Sequence, residues 1–562
     1  MVTSTRESDP VASVVLRPMG ERAVLAEVAD LAGVVALHAA LAAAPPAGVE
    51  ELVPAARTVL VAFDPLRIGR AAVGEWIHRA ALSPADVAPS AGVVKVPVRY
   101  DGADLEETAA LLGIPAGELV ARHARAEWTV AFTGFAPGFA YLVSAEWPFD
   151  VPRLTQPRTR VPAGAVGLAG GFSGAYPRET PGGWRLIGST DAVLFDPDAA
   201  TPVLLPPRAR VRFVPEREHL APVPPEAPAP AEVPAPPEAP APPEAPAPTE
   251  VPEPVEGTGT LAASPRPEAS TGSASSAPRP ALRVLHPGPF TTVQDLGRPG
   301  RAALGVARSG ALDRRALRVA NRLVGNDEGA AGLEIVVGGF AARAESDTWV
   351  CVTGALVDVV IGGRAVDSHA PQLVPGGVEV RIGSARAGLR AYLAVRGGIA
   401  SPPALGSRAR DVLAGLGPAP VRAGDLLDAG SAASAVAVVD TFPWTIPATL
   451  HDVAIAEGPR VDWFAADAWA TLLGVPWSVS SDVDRVGIRL DGPALDRIHH
   501  DELPSEGMRP GAIQVPPHGR PVVLLADGPV TGGYPVIAVV TDAALDALAQ
   551  ARPGDRVRFR RV

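Results

Sequence analysis

Between Arg217 and Pro280 the chain runs into a tract that no globular core can absorb. Its centre reads PAPPEAPAPPEAPAPTEVPEPVEG (Pro234 to Gly257), and ASPRPEASTGSASSAPRP continues it as polar coil. Too few apolar side chains are present to offset the entropy of ordering this backbone, and Pro repeats favour extended polyproline II. A disordered Pro/Ala/Glu-rich linker over 217–280 is therefore expected. At ~3.1 Å per residue such a tether reaches many tens of Å, enough to hold two folded bodies at high effective concentration. One body ends near 216 and the other spans 281–562.

Within the first body, residues 12–88 alternate strand-like and helix-like segments. SVVLRPMG, RAVLAEV and TVLVAF read as strands, LAGVVALHAALAAA and RAAVGEWIHRAAL as helices, which suggests a small ferredoxin-like α+β unit. KVPVRY opens a second unit, 89–216, with a helix starting near Asp101 or Asp104 and a shorter one through GELVARHAR. From Trp128 to Pro215 the segments are short, apolar and punctuated by Gly and Pro, the pattern of a β-barrel or sandwich. In the second body LRVLHPGPFTTVQD reads as a hairpin, and LDRRALRVANRLVG as an amphipathic helix capped by Gly325. Short strands follow, among them TWVCVTGA, LRAYLAVRGG, PVVLLAD and VIAVV, with DAALDALAQ as a late helix. An internal echo links the bodies: PAGAVG, GAYP and RVRF in the first, RPGAIQ, GGYP and RVRF in the second. The matching order predicts two copies of one β-barrel, so the fold class expected is α+β, mainly β.

Composition removes several functions. A net charge of -11 without a basic run argues against nucleic acid. No apolar stretch approaches the ~18 residues of a membrane span, and the first residues, MVTSTRESDPVAS, lack a charged-then-apolar signal pattern. A cytoplasmic protein is expected. The single cysteine, Cys351, excludes internal disulfides and reads as a core residue. The single lysine, Lys95, sits in VVKVPVRY, so the chain has neither the GK[ST] of a phosphate loop nor a biotin-carrying lysine turn. His499 and His500 are adjacent, and adjacent side chains of an extended segment do not converge on one metal, so no metal is expected.

Gly- and Pro-rich blocks remain: GFAPGFAYL (Gly134 to Leu142), QPRTRVPAGAVGLAG (Gln156 to Gly170), TPGGWRLIGST (Thr180 to Thr190), TTVQDLGRPG (Thr291 to Gly300), SEGMRPGAIQVPPHG (Ser505 to Gly519) and TGGYP (Thr531 to Pro535). Such blocks fix tight turns and admit close backbone approach, and binding groups concentrate on loops of this kind. With SGALD (Ser309 to Asp313), ANRLVGN (Ala320 to Asn326) and RGGI (Arg396 to Ile399), they carry a resemblance. Residues 12–215 resemble the B subunit of 5-oxoprolinase, also described as allophanate hydrolase subunit 1. Residues 282–562 resemble the C subunit of the same enzyme, or allophanate hydrolase subunit 2. Both halves are also similar to the carboxyltransferase region of urea carboxylase. The resemblance implies cyclophilin-like β-barrels, and the ATP-dependent opening of 5-oxoproline to glutamate together with a separate A subunit. ATP, with Mg, is the implied cofactor, the partners are an A-like protein and a small amide, and the two halves are expected to associate with each other. Two segments depart from the family pattern: SSDVDRVGIRL (Ser480 to Leu490), and Gly528, Pro529 and Val530 where an Arg-Gln pair is usual.

Opening a lactam requires cations or N–H donors around developing negative charge, and a base for water. Asp295, Arg298, Asp313, Glu506 and Gln514 are the candidate catalytic groups. Phe135, Gly138, Phe139, Tyr141, Arg153, Arg158, Asn321, Asn326, Arg396, Arg509 and Tyr534 are the candidate substrate-binding groups. Each has a plain structural alternative: an aromatic turn packing a barrel, an ion pair of Asp295 with Arg298, or Asp313 as a helix N-terminal acid. Gly182, Gly183 and Trp184 read first as a turn. Two other functions fit the resemblance: a biotin-dependent carboxyltransferase component acting on urea or a related amide, and a non-enzymatic regulator of a histidine kinase.

Overall fold

Residues 14–82, 92–216, 277–439 and 441–562 are described in a computed structural model of the chain. Most of the expected linker lies outside them. Its last two residues do not belong to it, because Arg279 and Pro280 open a strand, Arg279–Pro287. The expected boundary at 88 also falls outside the described residues.

The N-terminal unit is a four-stranded antiparallel sheet in the order Val15–Pro18, Ala23–Glu27, Thr58–Phe63, Val49–Pro54. Helices Leu31–Ala43 and Arg70–Leu82 cover one face. Asp30 starts the first helix by accepting the Gly33 N–H at 2.8 Å. The last three strands and both helices follow the ferredoxin-like order, while the fourth edge place is taken by the strand at the N-terminal end. Both faces of the sheet are apolar. Val24, Ala26, Val59, Val61 and Phe63 meet the helices. Ala23, Leu25, Val53 and Leu60 point the other way, at residues more than 200 positions later in the chain.

Two barrels repeat one topology. In the first, the strands are β1 (Val93–Val98), β2 (Trp128–Thr133), β3 (Ala140–Val143), β4 (Ala165–Ala169), β5 (Phe172–Ala175), β6 (Arg185–Ser189) and β7 (Arg210–Pro215). They lie in the order β6-β4-β5-β3-β2-β7-β1. Arg99 and Ser189 exchange backbone hydrogen bonds of 2.9 and 2.7 Å, which joins β1 to β6 and closes the ring. In the second, β8 (Leu450–Glu457), β9 (Trp477–Val483), β10 (Gly487–Asp491), β11 (Ala512–Gln514), β12 (Val522–Leu524), β13 (Val536–Val540) and β14 (Arg556–Arg561) form a closed barrel. Its order, β8-β13-β11-β12-β10-β9-β14, is that of the first with seven added to each label. First and last strands are parallel in both. Trp128 and Trp477 each begin the second strand of their barrel, are fully buried, and donate Nε1–H at 3.0 Å to the carbonyl five residues earlier.

The echoed RVRF segments fall on equivalent strands, β7 and β14, and PAGAVG and RPGAIQ both lead into equivalent strands, β4 and β11. GAYP and GGYP are not equivalent. GAYP ends β5, whereas GGYP begins in the short strand Thr531–Gly532, whose counterpart is Thr180–Gly182 in TPGGW. Four-letter similarity outweighed register there. Between linker and second barrel, residues 279–429 form a six-stranded and a five-stranded sheet around one large apolar core. Helix Arg314–Leu323 packs on the smaller sheet.

Candidate functional site at the seam of the two halves

The halves interlock. The outer face of the N-terminal sheet packs against Met508, Ala512, Leu524, Val536 and Val539 of the second barrel. A chain of charges runs beside it: Arg17 to Glu27 at 2.7 Å, Glu27 to Arg460 at 3.2 Å, and Arg460 Nε to Glu506 at 2.9 Å. The β2–β3 loop of the first barrel, the GFAPGF segment, supplies the other contact. Gly138 N–H donates to the Leu304 carbonyl at 3.0 Å, and Phe135 N–H to Thr531 Oγ1 at 2.9 Å. Thr133 Oγ1 donates to the Ala303 carbonyl.

Phe135 sits at φ 63, a left-handed conformation that costs a residue with a Cβ about 1–2 kcal/mol. Gly134 before it has no room for a side chain, because a Cβ there would overlap the Thr531 hydroxyl. The loop is thus bent to bring its aromatic rings to the seam. Behind Phe135 stand Phe139, Tyr141, Tyr176 and Trp184 of the first barrel, packed edge to face at 5.0–5.4 Å between centroids. With Arg153, Gly182 and Gly183 they form one wall of a cavity of about 140 Å³. Leu503, Ser505, Thr531, Gly532 and Gly533 of the second half form the other.

The polar groups of this cavity are few. Arg153 pairs across the seam with Glu502 at 2.8 Å, both side chains being substantially exposed. The Tyr141 hydroxyl hydrogen-bonds Ser505; burial raises its pKa, and the Arg153 charge and the serine bond partly offset that rise. Burial raises the Tyr176 pKa in the same way. Both phenols therefore stay neutral donors. Gly182 cannot carry a side chain, since a Cβ would strike the Tyr176 hydroxyl.

Of the residues singled out from sequence, Phe135, Phe139, Tyr141 and Arg153 meet in this cavity. So do the TPGGW glycines, which line the wall as well as turning the chain. Glu506 is the neighbour of Ser505, but its carboxylate is buried and bound to Arg460, with burial raising its pKa. Gln514 points at Met508 Sδ and the Tyr534 carbonyl, at 3.4 and 3.5 Å, while the Tyr534 side chain is exposed.

The remaining candidates serve the framework. Arg158 binds Asp104 at 2.6 Å, and Asp104 also accepts the Leu186 N–H. Asp295 does not pair with Arg298: it accepts from Gly297 N–H, Ser407 Oγ and Arg408 N–H. Arg298 is buried; its Nε and Nη2 donate to the Ala404 and Ala409 carbonyls, and its Nη1 faces Asp411 at 3.9 Å without a hydrogen bond. Asp313 caps helix Arg314–Leu323 through the Ala316 N–H and accepts from Gln550, each at 2.8 Å; burial pushes its pKa up to about 6. Asn321 and Asn326 bond each other at 3.0 Å and tie the helix end to the Ala330 and Val395 carbonyls. Arg396 donates to the Val324 carbonyl at 2.7 Å. Arg509 lines a second cavity of the seam.

Residues 14–205 match the family model described as carboxyltransferase domain, subdomain C and D, and residues 304–561 that of subdomain A and B. The C subunit of 5-oxoprolinase from Escherichia coli (strain K12) is 36% identical over 284 residues, covering 50% of this chain and 90% of that protein. The chain belongs to the carboxyltransferase-domain family. The B subunit of 5-oxoprolinase from Escherichia coli O157:H7 is 46% identical over 133 residues, 23% of this chain and 61% of the relative. A urea amidolyase of Lachancea kluyveri is 31% identical over 307 residues, but those are only 17% of its length. The crystal structure of TTHA0988 superposes with a TM-score of 0.77 at 35% identity over 96% of this chain and 99% of that one. The carboxyltransferase domains are therefore present as a B-like half followed by a C-like half in one chain.

Sequence reasoning missed the hub of the second carboxyltransferase half. Arg485, inside the departing SSDVDRVGIRL segment, is fully enclosed. It donates to Glu334 at 2.5 Å, Asp527 at 2.9 and 3.0 Å, and the Gly310 carbonyl at 2.6 Å. Its position in the β9–β10 turn was the available signal, because GFAPGF occupies the equivalent turn of the first barrel. Among the described residues no group of three or more His, Cys, Asp or Glu is placed to hold a metal.

Proposed function

We propose that this chain is the fused B and C subunits of an ATP-dependent 5-oxoprolinase that opens 5-oxoproline to glutamate with a separate A-like protein. The observation carrying this reading is that counterparts of both subunits share one chain and build one cavity from both halves. At about 140 Å³ the cavity suits a single small ring; a cavity of about 150 Å³ accepts benzene. Arg153 is the group to hold the substrate carboxylate. Tyr141 and Ser505 hydrogen-bond the lactam, and the Phe139 and Trp184 faces keep water off the ring. Desolvated donors of this kind act on charge developing at an amide oxygen.

Pockets for drug-sized ligands run to about 300–1,000 Å³, well above this cavity, and the sequence has no GK[ST] phosphate loop. The ATP-dependent step is accordingly assigned to the complex with the A-like partner, not to this cavity alone. A cytoplasmic location belongs to the same proposal; no helix among the described residues is long and apolar enough to cross a membrane.

The test is 5-oxoproline-dependent ADP release and glutamate formation by the purified chain, with and without the A-like protein. Turnover confined to the mixture is expected. A folded complex that leaves 5-oxoproline untouched overturns the reading, and carboxybiotin with urea-like acceptors becomes the next assay.

A further inference from the structure

A second cavity, of about 90 Å³, opens along the same seam. The SEGMRPG segment connects the two. Ser505 lines the aromatic cavity, Met508 lies in the apolar seam cluster, and Arg509 and Pro510 line the second cavity. Four guanidinium groups border this small space: Arg22 from the N-terminal unit, and Arg308, Arg314 and Arg509 from the second half.

Their pairing is incomplete. Direct charge-assisted hydrogen bonds run at about 2.7–2.9 Å. Here Arg509 reaches Asp542 at 3.4 Å, Arg22 reaches Glu50, Asp64 and Asp542 at 3.3–3.5 Å, and Arg314 reaches Asp542 and Asp546 at 3.8 Å. Arg308 has no carboxylate within 4.0 Å among the described residues, and its one hydrogen bond is a 3.5 Å contact to the Leu296 carbonyl. Glu51, the remaining acid of the cavity, is turned to the Gly300 N–H at 2.6 Å. Burial lowers the pKa of Arg308 and Arg509 and raises that of Glu51, and the acids that line the cavity, Glu50, Glu51 and Asp542, leave Arg308 without a direct ion pair.

We propose that this cavity is a binding site for a small oxyanion, a carboxylate or a phosphate, held between Arg308 and Arg509 where the two halves meet. The planar guanidinium fork matches either group through paired hydrogen bonds. The site is separate from the aromatic cavity, and its distinguishing feature is Arg308, which has no carboxylate within 4.0 Å among the described residues.

Calorimetric titration of the full chain with inorganic phosphate and, separately, with succinate tests this, with chloride holding ionic strength constant. One-to-one saturable binding of at least one anion is expected. Phosphate without succinate identifies a phosphoryl ligand, and the reverse a carboxylate. Arg308→Met should weaken the affinity at least tenfold and Arg308→Lys less, because lysine keeps the charge and loses the fork. No saturable binding of either anion to the folded wild type overturns the proposal, as does wild-type affinity in Arg308→Met. If Arg308→Met does not fold, wild-type affinity in both Arg308→Lys and Arg509→Lys overturns it instead. Since the readout is binding, its outcome is independent of 5-oxoproline turnover.

Discussion

At the scale of single residues, the seam depends on a loop that only glycine permits. Gly134→Ala should destabilise the chain by about 1–3 kcal/mol, as overpacking does, because its methyl meets Thr531. Thr531→Ala alone should cost about 1 kcal/mol through the lost Phe135 N–H bond. In urea titrations the double variant should be more stable than the sum of the two losses, since the second change removes the obstacle created by the first. Arg153→Met should raise KM for 5-oxoproline about 10- to 100-fold, the worth of a hydrogen bond to a charged group, and leave urea stability nearly unchanged, since its Glu502 pair is exposed. Asp313 gives a pH signature. Its carboxyl is held near 6 in the fold and near 3.9 when unfolded, so the native state binds the proton more tightly. Its contribution is fully present below about 4 and is lost as pH rises to about 6. Asp313→Asn, which keeps a capping side chain, should remove that slope from stability measured across this window. Asp313 also shows why sequence alone misjudges polar residues. A polar residue in a Gly-rich block reads the same whether it faces a ligand or satisfies the backbone: Asp295 accepts N–H groups, while Asn321 and Asn326 donate to carbonyls. Phe135, Phe139 and Tyr141 line the seam cavity and also pack into a core cluster of the first barrel, so both readings open to GFAPGFAYL are realised in part.

At the scale of elements, repetition was more legible than register. RVRF and the PAGAVG/RPGAIQ pair mark equivalent strands because their spacing spans most of a barrel. GAYP and GGYP misled because four residues cannot count strands. The strand Val49–Pro54 was not read at all: VEELVP has two acids in a row, and its burial comes from neighbours on both faces. The helix Arg314–Leu323 was plain, since its apolar stripe and Gly325 are local features. Topological identity makes a quantitative expectation. Trp128→Phe and Trp477→Phe each remove one buried Nε1–H bond and leave a small void at equivalent sites. Their costs in urea unfolding should agree within about 1 kcal/mol and fall near 1–3 kcal/mol. Widely unequal values would mean that the barrels differ in cooperativity despite their shared wiring.

At the scale of the molecule, the linker is not what joins the halves. The seam has an apolar cluster, a four-member charge chain and a loop contact of its own. Halves 1–216 and 277–562, expressed as separate chains, should co-elute as a one-to-one complex at micromolar concentration. Arg460→Ala should weaken that complex roughly 100-fold or more, because removing one partner of a buried pair costs about 3–5 kcal/mol and would leave Glu506 unpaired and Glu27 with Arg17 alone. Association of the halves was expected from the resemblance, but the residues that make the seam were not legible: they are separated by hundreds of positions, and no local pattern reports a pairing at that distance. The crossed arrangement also has a cost in time. The N-terminal sheet is complete by Leu82, yet the surface that covers its second face includes Met508 and Val539. At ribosomal rates of ~5–20 residues per second, that apolar face waits roughly 20–90 s for its cover. During synthesis the chain therefore carries an uncovered apolar face, an aggregation hazard that ends only when the second barrel emerges.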